Sequence, residues 1–83
     1  MSADRTWTRY ILRDNGTTVY VGITSRELPE SRIQEHLNEG KRFTSHQFIV
    51  PRVTGDGARA WEQATIETYR HNHGGRGPKY NKT

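Results

Sequence analysis

Residues 8–24 read Thr8-Arg9-Tyr10-Ile11-Leu12-Arg13-Asp14-Asn15-Gly16-Thr17-Thr18-Val19-Tyr20-Val21-Gly22-Ile23-Thr24. Two runs rich in β-branched and aromatic residues flank Asp14-Asn15-Gly16, whose glycine supplies positive φ. The stretch therefore reads as an antiparallel hairpin with arms near 7–13 and 17–23. A three-residue loop at 14–16 sets Arg13 opposite Thr17 and, counting back along both arms, Tyr10 opposite Tyr20 on one sheet face. A two-residue loop at Asn15-Gly16 pairs Tyr10 with Val21 instead. In the first register Val19, Val21 and Ile23 share the other face with Arg9 and Ile11, leaving the two phenols side by side.

The rest of the chain supports this hairpin. At 83 residues and 9.6 kDa there is room for one domain, 1–83, with a single modest core. Only 30% of residues are hydrophobic and the mean hydropathy is -1.03, but two Trp, four Tyr and two Phe argue against disorder and for a thin, aromatic-dependent core. The chain has no cysteine, which removes disulfides, thiolate catalysis and a cysteine-based zinc site, and fits a reducing, cytoplasmic compartment. No apolar run approaches the ~20 residues that span a bilayer, and the N-terminus lacks the apolar segment of a signal peptide, so a soluble protein with no membrane partner is expected.

A formal charge of +4 and a pI near 9.9 favour polyanionic partners such as nucleic acid. Beyond Glu67 the cations Arg70, Arg76, Lys79 and Lys82 occur with His71 and His73 and without a single acid. That segment reads as a phosphate-facing tail.

Pro29 opens an expected helix over about 29–39, with Gly40 as its stop. Ile33 and Leu37 form its apolar pair, and Arg32 and His36 project together beside that stripe. Residues 43–53 read as a third strand, and Pro51, lacking a ladder N–H, places it at a sheet edge. Thr54-Gly55-Asp56-Gly57 is turn chemistry, with Asp56 as N-cap of a helix over about 58–71. At about 100° per residue Ala58, Trp61, Thr65, Ile66 and Tyr69 share one face of that helix. Glu62 falls inside this face and Glu67 opposite it. An inward carboxylate must be paired, hydrogen-bonded or coordinating a cation, so Glu62 is a site candidate, its alternative being an ion pair with Arg59 or Arg32.

Two hairpin tyrosines, Arg32 on the first helix, the inward Glu62 on the second and a closing Pro78-Lys79-Tyr80-Asn81 resemble the GIY-YIG nuclease superfamily over residues 8–81. In place of the first motif stands Thr8-Arg9-Tyr10, which keeps the tyrosine. Tyr20-Val21-Gly22 is similar to the second, Arg32 and His36 match an Arg-x-x-x-His helix, and Glu62 heads a Glu-x-x-x-Ile segment like the metal-binding one. Asn81 looks like the family's closing asparagine.

The resemblance implies a small α/β domain of the α+β type, a three-stranded antiparallel sheet flanked by helices, acting as a metal-dependent endonuclease. Glu62 would hold one divalent ion, magnesium or manganese. Arg32 would stabilise charge on the scissile phosphate. Tyr10 or Tyr20 would position water and take its proton, its pKa lowered from ~10 by nearby cations. His36 would assist that transfer or bind phosphate, and Asn81 would pin helix and tail to the site.

DNA is the first expected substrate. An RNA-cleaving toxin-type nuclease, which would need an immunity protein, and a catalytically silent nucleic-acid-binding module are the rivals. A fused targeting domain is a further expected partner. The tripeptide His71-Asn72-His73 is not the HNH nuclease motif, whose residues come from separated positions of another fold. Gly74-Gly75-Arg76-Gly77 is not a P-loop, because no strand precedes it and no Gly-Lys-Ser/Thr follows.

Overall fold

A computed structural model describes residues 4–81. Its elements are β1 (Trp7–Asp14), β2 (Thr17–Thr24), α1 (Glu30–Asn38), β3 (Ser45–Val53) and α2 (Gly55–Asn72). The strands form one antiparallel sheet in the order β2-β1-β3, so the α+β architecture is as expected.

Asn15 and Gly16, at φ 51° and 83°, close the hairpin as a two-residue loop with Asp14 opposite Thr17. Two positive φ values give the turn whose twist matches that of the flanking strands. A bulge then inserts Val19, so that Arg13 faces Thr18, Leu12 faces Tyr20 and Tyr10 faces Gly22. Neither expected register therefore occurs. The tyrosines still share a face, now as diagonal neighbours across the Leu12–Tyr20 and Tyr10–Gly22 pairs. Val19, expected on the opposite face, joins Tyr10, Leu12 and Ile33 in the core because the extra residue changes the alternation.

The strand β3 begins at Ser45 rather than Phe43, while Phe43 packs against the core from the preceding loop. It lies at the sheet edge as Pro51 requires, and its register with β1 shifts between Trp7 and Arg9, beside that proline.

Pro29 stands at the cap of α1 rather than inside it, and Gly40, at φ 89°, follows its end. The expected Ile33–Leu37 stripe is not what is buried: Ile33 and His36 are, and Leu37 is 46% exposed. A buried imidazole is tolerated where its ring nitrogen meets a partner, and the sheet supplies one. In α2 the N-cap is Thr54, whose Oγ1 accepts from the Gly57 N–H at 3.0 Å, while Asp56 lies exposed in the first turn. The inward face follows the helical period: Ala58 and Ile66 are buried, Trp61, Glu62, Thr65 and Tyr69 half-buried, Glu67 exposed.

The two helices use different faces of the sheet. Tyr10 and Leu12 point toward α1, with Tyr20, Phe43, Phe48 and Tyr80 completing that core. On the other face the Arg9 guanidinium lies 5.9 Å from the Trp61 ring centroid and Gly55 abuts Trp7, so α2 packs over β1 and β2 there. Each fully buried apolar side chain contributes ~1.5–3 kcal/mol, which makes this small set of large side chains decisive for stability. Gly74 and Gly75, at φ 65° and 88°, turn the chain back after α2, and Pro78 is buried. Tyr80 N–H then donates to Val19 C=O at 2.8 Å, so the tail runs along the outer edge of β2. Among the described residues no helix is long and apolar enough to cross a membrane.

Candidate active site

The two phenols close over a residue with no side chain. A Cβ at Gly22 would lie 2.5 Å from Tyr10 Cζ, 2.5 Å from Tyr20 Cε2 and 2.6 Å from the Tyr10 hydroxyl. The diagonal register places both rings above this position, and their centroids are 6.0 Å apart. The clash depends on where two rings from different strands come to rest, so the tripeptide Tyr20-Val21-Gly22 alone does not reveal it.

His36 meets the pair from α1. Its Nε2 is 2.7 Å from the Tyr10 hydroxyl, and its ring centroid is 4.6 Å from that of Tyr20. Tyr10 and His36 are both fully buried, whereas Tyr20 is half-buried. Burial first, then the neighbouring Arg32 and Lys41 charges, lower the His36 pKa to about 4, with Glu39 and Glu35 opposing. The imidazole is thus neutral at pH 7 and has a lone pair to offer. The Tyr10 pKa moves opposite to expectation: burial, then Tyr20, raise it, and the adjacent Arg32 does not compensate. Tyr10 is a protonated phenol at neutral pH.

Arg32 completes the group. It faces Tyr10 closely enough to act on its ionisation, and its NH1 donates to Glu35 Oε1 at 2.8 Å. Glu35 also takes Arg26 at 2.6 Å, so the carboxylate that steadies Arg32 is itself held. On the other side Lys41 Nζ is 5.6 Å from the Tyr20 ring centroid. Lys41 escaped sequence reading because its loop position gave no periodicity linking it to the hairpin.

Asn81 acts on the strand rather than at the phenols. Its Oδ1 accepts from Val21 N–H at 2.8 Å and its Nδ2 donates to Val21 C=O at 2.9 Å. One side-chain amide thereby satisfies both backbone groups of the residue between Tyr20 and Gly22. Tyr80 supports the same placement, its hydroxyl accepting from Arg42 N–H at 2.9 Å.

Glu62 stands apart. It lies on α2, whose Trp61 covers the Arg9 face of the sheet, and among the described residues it makes no hydrogen bond or ion pair with Tyr10, Tyr20, Arg32 or His36. The expectation that both phenols face Glu62 is carried by no contact. Burial raises the Glu62 pKa, with Arg59 opposing, yet Arg59 pairs with Asp56. A half-buried carboxylate without an ion pair among the described residues suits one hard divalent cation completed by water and substrate oxygens. Among the described residues no three His, Cys, Asp or Glu side chains cluster to form a metal cage.

The basic tail divides. Arg70 donates to Gly75 C=O at 3.3 Å and pairs with Glu67 at 3.9 Å, tying the end of α2 to the turn. Arg76 and Lys79 are exposed and border a cleft of ≈ 550 Å³ with Tyr69, Asn72 and His73. His73 stacks on Tyr69 at 3.7 Å, and its ring Nδ1 lies 2.7 Å from Tyr69 C=O, a local role for the second histidine of the misleading tripeptide. Lys82 lies outside the described residues.

Comparison with known proteins returns one family, described as the GIY-YIG catalytic domain, whose model matches residues 6–75. That span holds the phenols, Arg32, His36 and Glu62 but stops short of Asn81. No curated protein and no solved structure matches the chain.

Proposed function

The chain belongs to the GIY-YIG catalytic-domain family, and from that premise we propose that it is a metal-dependent endonuclease hydrolysing phosphodiester bonds in DNA. The observation that carries this reading is the closure of Tyr10 and Tyr20 over Gly22, with His36 behind them and Arg32 beside them.

The difference in exposure divides the tyrosine roles. Tyr20, half-buried, is the phenol that meets solvent and substrate, and it orients the attacking water. Tyr10, fully buried and protonated, backs Tyr20 and is held by a hydrogen bond between its hydroxyl and the neutral Nε2 of His36. Complete burial leaves His36 this hydrogen-bonding role rather than phosphate contact. Arg32, steadied through one nitrogen by Glu35, has other donors for the phosphoryl oxygens, where charge grows in the transition state. Glu62 would hold magnesium or manganese, which would supply positive charge to substrate oxygens reaching α2. Asn81 keeps β2, and with it Tyr20, in place. Arg76 and Lys79 would receive flanking phosphates, adding salt-dependent, sequence-independent affinity.

The test is cleavage of duplex DNA, single-stranded DNA and total RNA, with magnesium, manganese or a chelator, by wild type, Arg32→Ala and Glu62→Ala. We expect DNA cleavage that requires metal and is lost in both variants. RNA cleavage with intact DNA would overturn the substrate assignment. Metal-dependent cleavage surviving in Glu62→Ala would remove Glu62 from the site, and no cleavage of any substrate would sink the enzyme reading.

A further inference from the structure

Among the described residues, one ring nitrogen of the buried histidine has no hydrogen-bond partner. His36 Nε2 is engaged by Tyr10, but Nδ1 is buried without a hydrogen bond. The nearby carboxylate is Glu39, just past the end of α1, whose Oε1 lies 3.6 Å from Nδ1 and 2.8 Å from Lys41 Nζ. The Glu39 side chain is 52% exposed, so it is free to move the fraction of an ångström that would make a hydrogen bond.

We propose that Glu39 is a positioning residue of the nuclease site, accepting a hydrogen bond from His36 Nδ1–H and so fixing the tautomer whose Nε2 accepts from the Tyr10 hydroxyl. Lys41 shares the same carboxylate oxygen, its ammonium 2.8 Å from Glu39 Oε1. The inference rests on the nuclease reading.

The chemistry follows from the two nitrogens of one ring. A neutral imidazole carries one N–H, and with that hydrogen on Nδ1 the Nε2 lone pair is directed at the Tyr10 hydroxyl. With the hydrogen on Nε2, His36 would donate to Tyr10 and could accept nothing from it. With Nδ1–H held, Nε2 accepts from the Tyr10 hydroxyl and both groups stay neutral.

The groups facing the ring decide how readily it takes a second proton. Arg32 on its own helix and Lys41 in the following loop disfavour the imidazolium, Glu39 and Glu35 favour it, and the sheet presents the phenols of Tyr10 and Tyr20. Lys41 Nζ, 2.8 Å from Glu39 Oε1 and 5.6 Å from the Tyr20 ring centroid, sets an opposing charge against the carboxylate beside the ring.

Nitrogen-15 NMR of histidine-labelled protein at pH 7 reads the tautomer directly, without metal or nucleic acid. The wild type should show His36 protonated at Nδ1, Glu39→Ala should move the ring toward the Nε2–H form, and Glu39→Asp should restore part of the wild-type signature. Lys41→Ala should raise the pH at which His36 titrates, and Glu39→Ala should lower it. In single-turnover cleavage, Glu39→Ala should slow the reaction roughly tenfold, as Tyr10 loses its fixed position behind Tyr20.

An Nε2–H tautomer in the wild type, or identical nitrogen shifts in wild type and Glu39→Ala, would overturn the proposal. So would Lys41→Ala and Glu39→Ala moving the His36 titration in the same direction. These spectra do not depend on cleavage. If the tautomer behaves as described and no nucleic acid is cut, the nuclease reading fails and the hydrogen-bond assignment stands.

Discussion

Replacing Gly22 with alanine tests the site with one methyl group. The added carbon would sit 2.5 Å from an atom of each phenol, where ordinary van der Waals contact is 3.4–4 Å, so a ring must retreat by about 1 Å. Tyr10 is fully buried and held by His36 at 2.7 Å, whereas Tyr20 is half-buried and can swing outward. Gly22 is not in the left-handed region, so backbone strain does not confuse the result. Overpacking of this kind costs ~1–3 kcal/mol, and a ~1 Å misplacement of a reacting group costs ~10² in rate. Urea unfolding and single-turnover cleavage on the same preparation should show a modest loss of stability beside a much larger loss of rate. A Gly22→Ala protein with wild-type midpoint and wild-type rate would refute the claim that the two rings share this space.

Two other outcomes follow from the same network. His36 has a folded pKa of about 4 against 6.5 when unperturbed, so between those values the unfolded chain binds a proton that the folded chain refuses. Stability is therefore fully present above pH 6.5 and falls by ~3 kcal/mol as the pH drops through 4. His36→Phe should flatten that part of the profile measured by urea midpoints from pH 7 to pH 4, and an unchanged profile would count against the buried neutral imidazole. Asn81→Ala removes both hydrogen bonds to Val21 and should cost ~1–3 kcal/mol, with faster hydrogen exchange at the Val21 amide. Unaltered exchange there would show that the tail does not hold the strand.

The parts that sequence made legible are those with local causes. Asn15-Gly16 marks the turn, the 3.6-residue period marks the inward face of α2 with Glu62 in it, and Pro51 marks the edge strand. The register was not legible because the bulge at Val19 has no glycine or other local signal, although it decides which residue meets Tyr10. In α1 the hydrophobic scale favoured Leu37 over His36. The deciding interaction, Tyr10 with His36, spans 26 residues and exists only once the sheet has formed. Thr54 and Asp56 were both chemically able to cap α2, and backbone geometry selected the first. The Tyr10 pKa could not be foreseen from nearby cations, because desolvation depends on how completely the core closes over the ring.

The amide of Asn81 grips Val21 across 60 residues of chain, and Tyr80 takes Val19 just beside it. The strand bearing Tyr20 is thus synthesised 60 residues before the amide that splints it. During translation the hairpin and both helices come before that amide, so the outer edge of β2 stays unclasped until residue 81 has been added.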